Sequence, residues 1–176
     1  MDSLIPYSIP VRGLRVGTHQ FDFQIDREFF RRFEESPVAD GQIQVHFMLD
    51  KRPDMLVLHF QLAGTVKTDC DRCLAPIDLP IANAQSLIVK FSETEEAEDA
   101  DVVYVHPEIQ QLNIARYIYE YIILAMPIIK VYDCFSEANR PCNLEMLQYL
   151  SSENSEPQAA PESNPIWEEL KKLNKN

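Results

Sequence analysis

Apolar residues alternate with polar ones through the first half of the chain. Ile43, Val45, Phe47 and Leu49 occupy every second position, and Leu56, Leu58, Phe60 and Leu62 repeat the pattern after Lys-Arg-Pro-Asp. Period-two patterning of this kind predicts two half-buried strands joined as a hairpin. Aligning the apolar faces pairs 49 with 56, 47 with 58 and 45 with 60, with Lys51 to Asp54 as the turn. That register sets His46 opposite His59 on the outer face. Two histidines without a third ligand read as a polar cross-strand pair more readily than as a metal or pH-sensing site. Residues 4–11 and 14–25 predict two short extended segments. The strand pattern continues through GTVKTDC, CLAPIDLP and AQSLIVKF, and VVYVHP predicts a further short strand.

Before residue 151, helical spacing appears in three places. Asp26 precedes REFFRRFEE as an N-cap, with Phe29, Phe30 and Phe33 on one side. Arg27, Arg31 and Arg32 form the densest basic group, but the interspersed Glu28, Glu34 and Glu35 make it a solvated face rather than a patch. From Asn113, IARYIYEYIILAM predicts a helix with Ile114, Ile118, Tyr121, Ile122 and Ala125 inward, ended by Pro127. It is apolar nearly all round, which predicts burial on more than one side. NLEMLQYL predicts a short third helix. Residues 128–141 read as a loop.

The segment 151–164, rich in Ser, Pro and acids, has the composition of a flexible linker. NPIWEELKKLNKN follows it. Asn164 and Pro165 open a helical stripe of Ile166, Trp167, Leu170 and Leu173 on a peptide too short to fold by itself. The chain is thus expected to comprise an α+β domain over 1–150, mainly antiparallel β with two or three helices. A linker over 151–164 and an amphipathic helix over 165–176 complete it. Trp167, Leu170, Lys171 and Lys172 are the candidate partner-binding residues, with Lys175 extending their basic face. Docking of the same stripe on the chain's own domain is the competing expectation.

Charge narrows the partners. The 176 residues carry 16 Lys/Arg against 28 Asp/Glu, a formal net charge of −12. Six acids lie in 93–101 and three in 151–164, and the remainder of the chain carries only −3. A protein that grips nucleic acid through phosphates needs a cationic excess. Direct binding of naked RNA is therefore not expected, whereas a basic protein is a suitable partner. No apolar run reaches the ~20 residues of a membrane helix, and the start of the chain lacks a signal-peptide pattern, so a cytoplasmic, membrane-free protein is expected. Four glycines and the absence of a phosphate-loop, zincin or nucleophile-elbow motif give no indication of an enzyme or of a small-molecule substrate. The acids of 93–101 lack the spacing and glycine of an EF-hand.

The cysteines supply the one candidate site. Cys70 and Cys73 form a Cys-x-x-Cys pair, with Cys134 and Cys142 downstream. Two plus two thiolates match a closed structural zinc site, and a single zinc is the expected cofactor. Free buried thiols and redox chemistry are the other readings. The redox reading is disfavoured because LAPIDLP after Cys73 predicts a strand, whereas thioredoxin-type chemistry uses a helix N-terminus. A thiol- or metal-dependent enzyme remains the alternative from a different functional class.

LAGTVKTDCDRCLAPIDLPI resembles the central motif of the bacterial YceD family, the large ribosomal RNA subunit accumulation proteins. EYIILAMPIIKVYDC resembles that family's acidic-helix segment leading to a His/Cys-bearing loop, and NPIWEELKKL its closing Asn/Asp-Pro, aromatic, Leu-Lys pattern. The three stand in the family's order across residues 61–173. The resemblance implies a non-enzymatic role in ribosome biogenesis, with the large-subunit precursor or a basic ribosomal protein as partner. It places Cys70 and Cys73 at the family's paired cysteines. Tyr132 departs from the pattern, standing where many members have His, and the spacing of Cys134 and Cys142 belongs to a variable loop.

Overall fold

The computed structural model describes residues 6–93, 101–133 and 141–153. Strand β1 (Ser8–Ile9) leads through a 3-10 turn (Val11–Gly13) to β2 (Gly17–Ile25) and the short helix α1 (Arg27–Phe30). Three long strands follow: β3 (Gly41–Lys51), β4 (Met55–Asp69) and β5 (Pro76–Phe91). Then come β6 (Val102–Val105), β7 (Leu112–Asn113) and the helices α2 (Ala115–Ala125) and α3 (Leu144–Glu153). The main sheet has the order β2-β3-β4-β5-β6, and β1 pairs with β7 separately. All main-sheet neighbours are antiparallel except β6, which runs parallel to β5. The expected α+β class is borne out, with a sheet that is mixed at this one edge.

Alternation puts one face of the sheet in the core. Val45, Phe47 and Leu49 from β3, Leu56, Leu58 and Phe60 from β4, and Leu87 and Val89 from β5 are all buried. Helix α2 lies over β5 and buries Ala115, Ile118 and Ile122. Asn113 Oδ1 accepts from the Ala115 N–H at 3.0 Å and so caps its first turn. Asn83, on the core face of β5, donates to the Tyr121 carbonyl at 3.1 Å, and Phe60 meets the Tyr121 ring edge-on at 5.1 Å. Arg116 and Leu124 face solvent, so the expectation that this helix is buried on more than one side is corrected. Its apolar circumference exceeds what the sheet can cover.

The first helix is also shorter than its pattern predicted. Asp26 caps it as expected, accepting from the N–H groups of Glu28 and Phe29. Regular helix stops at Phe30 because the aromatic side chains are pulled into the core. Phe29 packs edge-on to Phe30 at 5.7 Å, and Phe33 stacks on Tyr119 at 4.0 Å with the rings 6° apart. Such pairs contribute about 0.5–1.5 kcal/mol beyond burial, and together with the burial of the rings they offset the helical bonds forgone at a frayed end.

The β3–β4 hairpin keeps the expected faces but slips by two residues. Leu49 pairs with Leu58, Phe47 with Phe60 and Val45 with Leu62. The Arg52 N–H donates to the Met55 carbonyl at 2.9 Å, so the reversal is carried by Pro53 and Asp54 rather than by Lys51 to Asp54. Lys51 stays in β3, where its ammonium donates to the carbonyls of Val11 and Leu14, each at 2.8 Å. A slip of two preserves side-chain faces, so apolar patterning alone cannot detect it. In the actual register His46 faces Gln61 and His59 faces Met48, which corrects the expected direct His46–His59 pairing. The two segments expected as LAPIDLP and AQSLIVKF are one strand, β5, whose pairing with β4 is unbroken from Asp69↔Pro76 to Met55↔Lys90. Pro76 and Pro80 are tolerated because β6 covers β5 only at Ile88–Phe91.

Helix α3 reaches Glu153, three residues into the segment expected as linker. The rest of that linker and the expected helix over 165–176 lie outside the described residues. Among the described residues, no helix is long and apolar enough to cross a membrane.

At Gly64, opposite Ile43, a Cβ would come within 2.1 Å of the Gln42 carbonyl oxygen and 2.6 Å of the Ile43 Cα. Backbone cannot yield there without breaking the β3–β4 ladder. Gly64→Ala is therefore expected to lower unfolding free energy by about 1–3 kcal/mol in urea titrations. Gly13→Ala, with nothing within 4 Å, serves as the unstrained comparison.

Candidate functional site: the Cys70–Cys73 knuckle

Beyond the end of β3, the paired strands β4 and β5 continue as a two-stranded arm, and the Cys-x-x-Cys turn closes its tip. The Cys70 N–H donates to the Ala75 carbonyl at 2.9 Å and the Leu74 N–H to the Cys70 carbonyl at 2.8 Å. Leu74 takes a left-handed backbone, φ 56°, the conformation that lets so tight a turn re-enter the strand. This geometry turns both sulfurs inward, and Cys70 and Cys73 are fully buried free cysteines.

Burial raises the pKa of the Cys70 thiol. Hydrogen bonds to it from the backbone N–H groups of Tyr132, Cys73 and Arg72, and from the Cys73 side chain, outweigh burial and bring it down to about 7. A sulfur ringed by N–H donors is prepared to carry negative charge, as a thiolate ligand must. Residues following Cys73 run directly into β5, so neither cysteine lies at a helix N-terminus.

One donor to Cys70 comes from far along the chain. After α2 the backbone returns and zips onto the knuckle. The Asp71 N–H donates to the Lys130 carbonyl at 2.7 Å, and the Lys130 N–H donates to Asp71 Oδ2 at 2.6 Å. The Lys130 ammonium lies 3.6 Å from the same carboxylate, and Arg72 donates to the Tyr132 carbonyl at 3.1 Å. Tyr132, at the position of the departure from His, serves the site through its backbone. The contributions of Asp71, Lys130 and Tyr132 were not anticipated from sequence, since contacts across 59 residues leave no local spacing to detect.

The structure thus unites Cys70 and Cys73 with the segment that leads to Cys134, which itself lies outside the described residues. Cys142 is nearly buried and disulfide-bonded. A disulfide sulfur is no zinc ligand, so a four-thiolate site requires that bond to be reduced. Among the described residues, no group of three or more His, Cys, Asp or Glu is placed to hold a metal ion. Trp167, Leu170, Lys171 and Lys172, the candidate partner-binding residues, also lie outside the described residues.

The opposite face of the sheet holds the histidines. A hollow of about 320 Å³ is bordered by Gln20, Asp22, His46, Met48, His59 and Gln61. His46 Nδ1 engages the Asp22 carboxylate, and His59 Nδ1 engages the Ser86 hydroxyl at 2.7 Å. Each histidine therefore has its own neighbour on an adjacent strand. Arg31 and Arg32, just after α1, are likewise engaged locally. Arg31 pairs with Glu28 at 2.5 Å, and Arg32 Nε donates to the Glu28 carbonyl at 3.2 Å.

Compared with known proteins, residues 58–174 match the family model described as large ribosomal RNA subunit accumulation protein YceD. The matched stretch contains the knuckle, the arm that carries it and the segment zipped against it. No curated protein and no solved structure matches the chain.

The Asp71 carboxylate is the hub of the zipper, so its removal should free residues 128–132 from the knuckle. Asp71→Ala is expected to lower stability by about 1.5–3 kcal/mol, the range for a hydrogen bond to a charged group. Amide exchange at Lys130 and Tyr132 should accelerate in that variant. Unchanged exchange there would show that packing alone holds the segment.

Proposed function

We infer function from a plain premise: this chain belongs to the YceD family of large ribosomal RNA subunit accumulation proteins. It is a ribosome biogenesis factor that supports accumulation of large-subunit RNA as a non-enzymatic, cytoplasmic assembly protein. The family match carries this reading. Depleting the protein from its host should lower large-subunit RNA relative to small-subunit RNA. Equal loss of both, or of neither, would overturn the role.

The mode of action follows from the charged surface. Arg31 pairs with Glu28, Arg52 with Asp50, Lys67 with Asp40, Arg116 with Glu120 and Lys130 with Asp71. Cations already neutralised by neighbouring carboxylates release few counterions from phosphates. The protein therefore engages the large-subunit precursor through a basic ribosomal protein, not through naked RNA. In pull-downs from lysate, association should survive nuclease treatment. Tight binding to protein-free ribosomal RNA with a steep salt dependence would refute this mode.

The knuckle has the chemistry of half a zinc site. Cys70 and Cys73 supply two thiolates whose charge the surrounding N–H groups stabilise, and reduced Cys134 and Cys142 complete the set. Cys134 stands two residues beyond Tyr132, so its Cα is at most about 7 Å from that anchored residue. The metal's part is structural: it fixes the arm to the segment after α2. Protein purified under reducing conditions should carry about one zinc per chain, and chelation should lower its melting temperature. Cys70→Ser should abolish both effects. Metal-free protein whose melting is indifferent to chelator would leave the knuckle a packed thiol turn.

A further inference from the structure

Large exposed apolar side chains gather at the knuckle end of the molecule. Ile128 is 99% exposed, Ile129 70%, Leu124 68% and Leu74 64%, with Val131 beside them. The Asp71–Lys130 bonds fix residues 129 and 131 against the turn that carries Leu74, and Leu124 lies on the last turn of α2 just before them. This patch is presented on an anchored backbone, because Pro127 ends the helix on one side and Lys130 is held on the other.

The chain supplies an occupant. Ile166, Trp167, Leu170 and Leu173 share one face if residues 165–173 are helical, and that segment is too short to be stable without a surface to pack on. Residues 154–164 join it to the end of α3, and eleven extended residues reach about 36 Å. A domain of this length has a radius of gyration of about 15 Å, so the tether covers a large part of its surface. Charge agrees as well. Lys171, Lys172 and Lys175 accompany the stripe, while the knuckle end exposes Asp69. The family match runs to residue 174 and so includes arm, patch and tail.

We propose that residues 165–173 dock as an amphipathic helix on the patch formed by Leu74, Leu124, Ile128, Ile129 and Val131, with Trp167 as the anchor. The docked tail covers the end of the molecule that carries the knuckle. This assignment does not depend on the ribosomal role.

Trp167 is the single tryptophan of the chain, so its fluorescence reports the docking directly. In the full-length protein its emission should be blue-shifted, and its quenching by acrylamide weaker, relative to a synthetic peptide of residues 164–176. Replacing both isoleucines, Ile128→Asp with Ile129→Asp, should return both signals to the peptide values, since each lost isoleucine contact lowers the docking equilibrium roughly tenfold or more. Ile128 and Ile129 are exposed, so the substitution spares the core, and circular dichroism verifies the fold. Leu124→Asp is the second variant, expected to act in the same direction. Val16→Asp, at an exposed apolar residue outside the patch, should leave the signal alone. Peptide-like emission from the unmodified chain would overturn the proposal and leave the tail to an external partner. Protected emission that all patch variants leave unchanged would overturn it too.

Discussion

The pairing of β4 with β5 is the constraint from which the rest of this structure follows. Fifteen consecutive residue pairs run from Met55↔Lys90 to Asp69↔Pro76. At one end they form the floor on which α2 lays Ile118 and Ile122. At the other they outrun β3 and become the arm whose tip is the Cys70–Cys73 turn. Ladder and turn are mutually dependent: Cys70 donates to Ala75 and Leu74 to Cys70, closing the turn in phase with the strands. A one-residue error in that closure would invert every side chain of β5 and put Ile77, Leu79 and Ile81 into solvent. The left-handed backbone at Leu74 is the local strain accepted to keep the phase.

Much of this was legible in the alternation of apolar residues, because a sheet with one buried face leaves a period-two record. Faces were readable; register was not. The slip of two at β3–β4 leaves every apolar residue inside, so what decides it is not hydrophobicity but two specific groups. Lys51 reaches the carbonyls of Val11 and Leu14 forty and thirty-seven residues away, and Arg52 closes on Met55 around Pro53–Asp54. A tertiary ligand for a lysine cannot be inferred from the hairpin's own sequence. The truncation of α1 has a similar origin: Phe33 leaves the helical path for a ring on α2. The parallel placement of β6 was equally invisible, since a four-residue strand carries no mark of its direction.

At the candidate site the spacing of Cys70 and Cys73 revealed the turn, but not what makes its sulfur ready for charge. That depends on the N–H of Tyr132, brought in by Asp71 and Lys130. The same zipper explains an oddity of the sequence. An isoleucine pair directly after a helix would ordinarily turn inward. Here the hydrogen bonds of residue 130 fix the backbone of its flanks, and Ile128 and Ile129 are left facing out. One set of polar contacts therefore both organises the cysteine turn and creates the apolar surface next to it.

Under the proposed role, that coupling bears on how an acidic protein would work on a particle rich in RNA. Five of the described lysines and arginines are paired with neighbouring carboxylates, and the whole chain carries a formal net charge of −12, so the proposed role gives direct phosphate contact a small part. Acidic segments raise the encounter rate with basic proteins and disfavour acidic ones, but charge on solvated loops presents no fixed geometry with which to choose among basic partners. Discrimination must come from shape and apolar contact at short range. In this molecule the surface suited to such contact is the arm, where a rigid hairpin tip and a zipped return segment stand beside the cluster on which the tail is proposed to dock. A metal bound by the knuckle would stiffen that assembly without touching any partner. Loss of the cysteines should accordingly disturb recognition through the geometry of the arm, by a route separate from the charge of the surface.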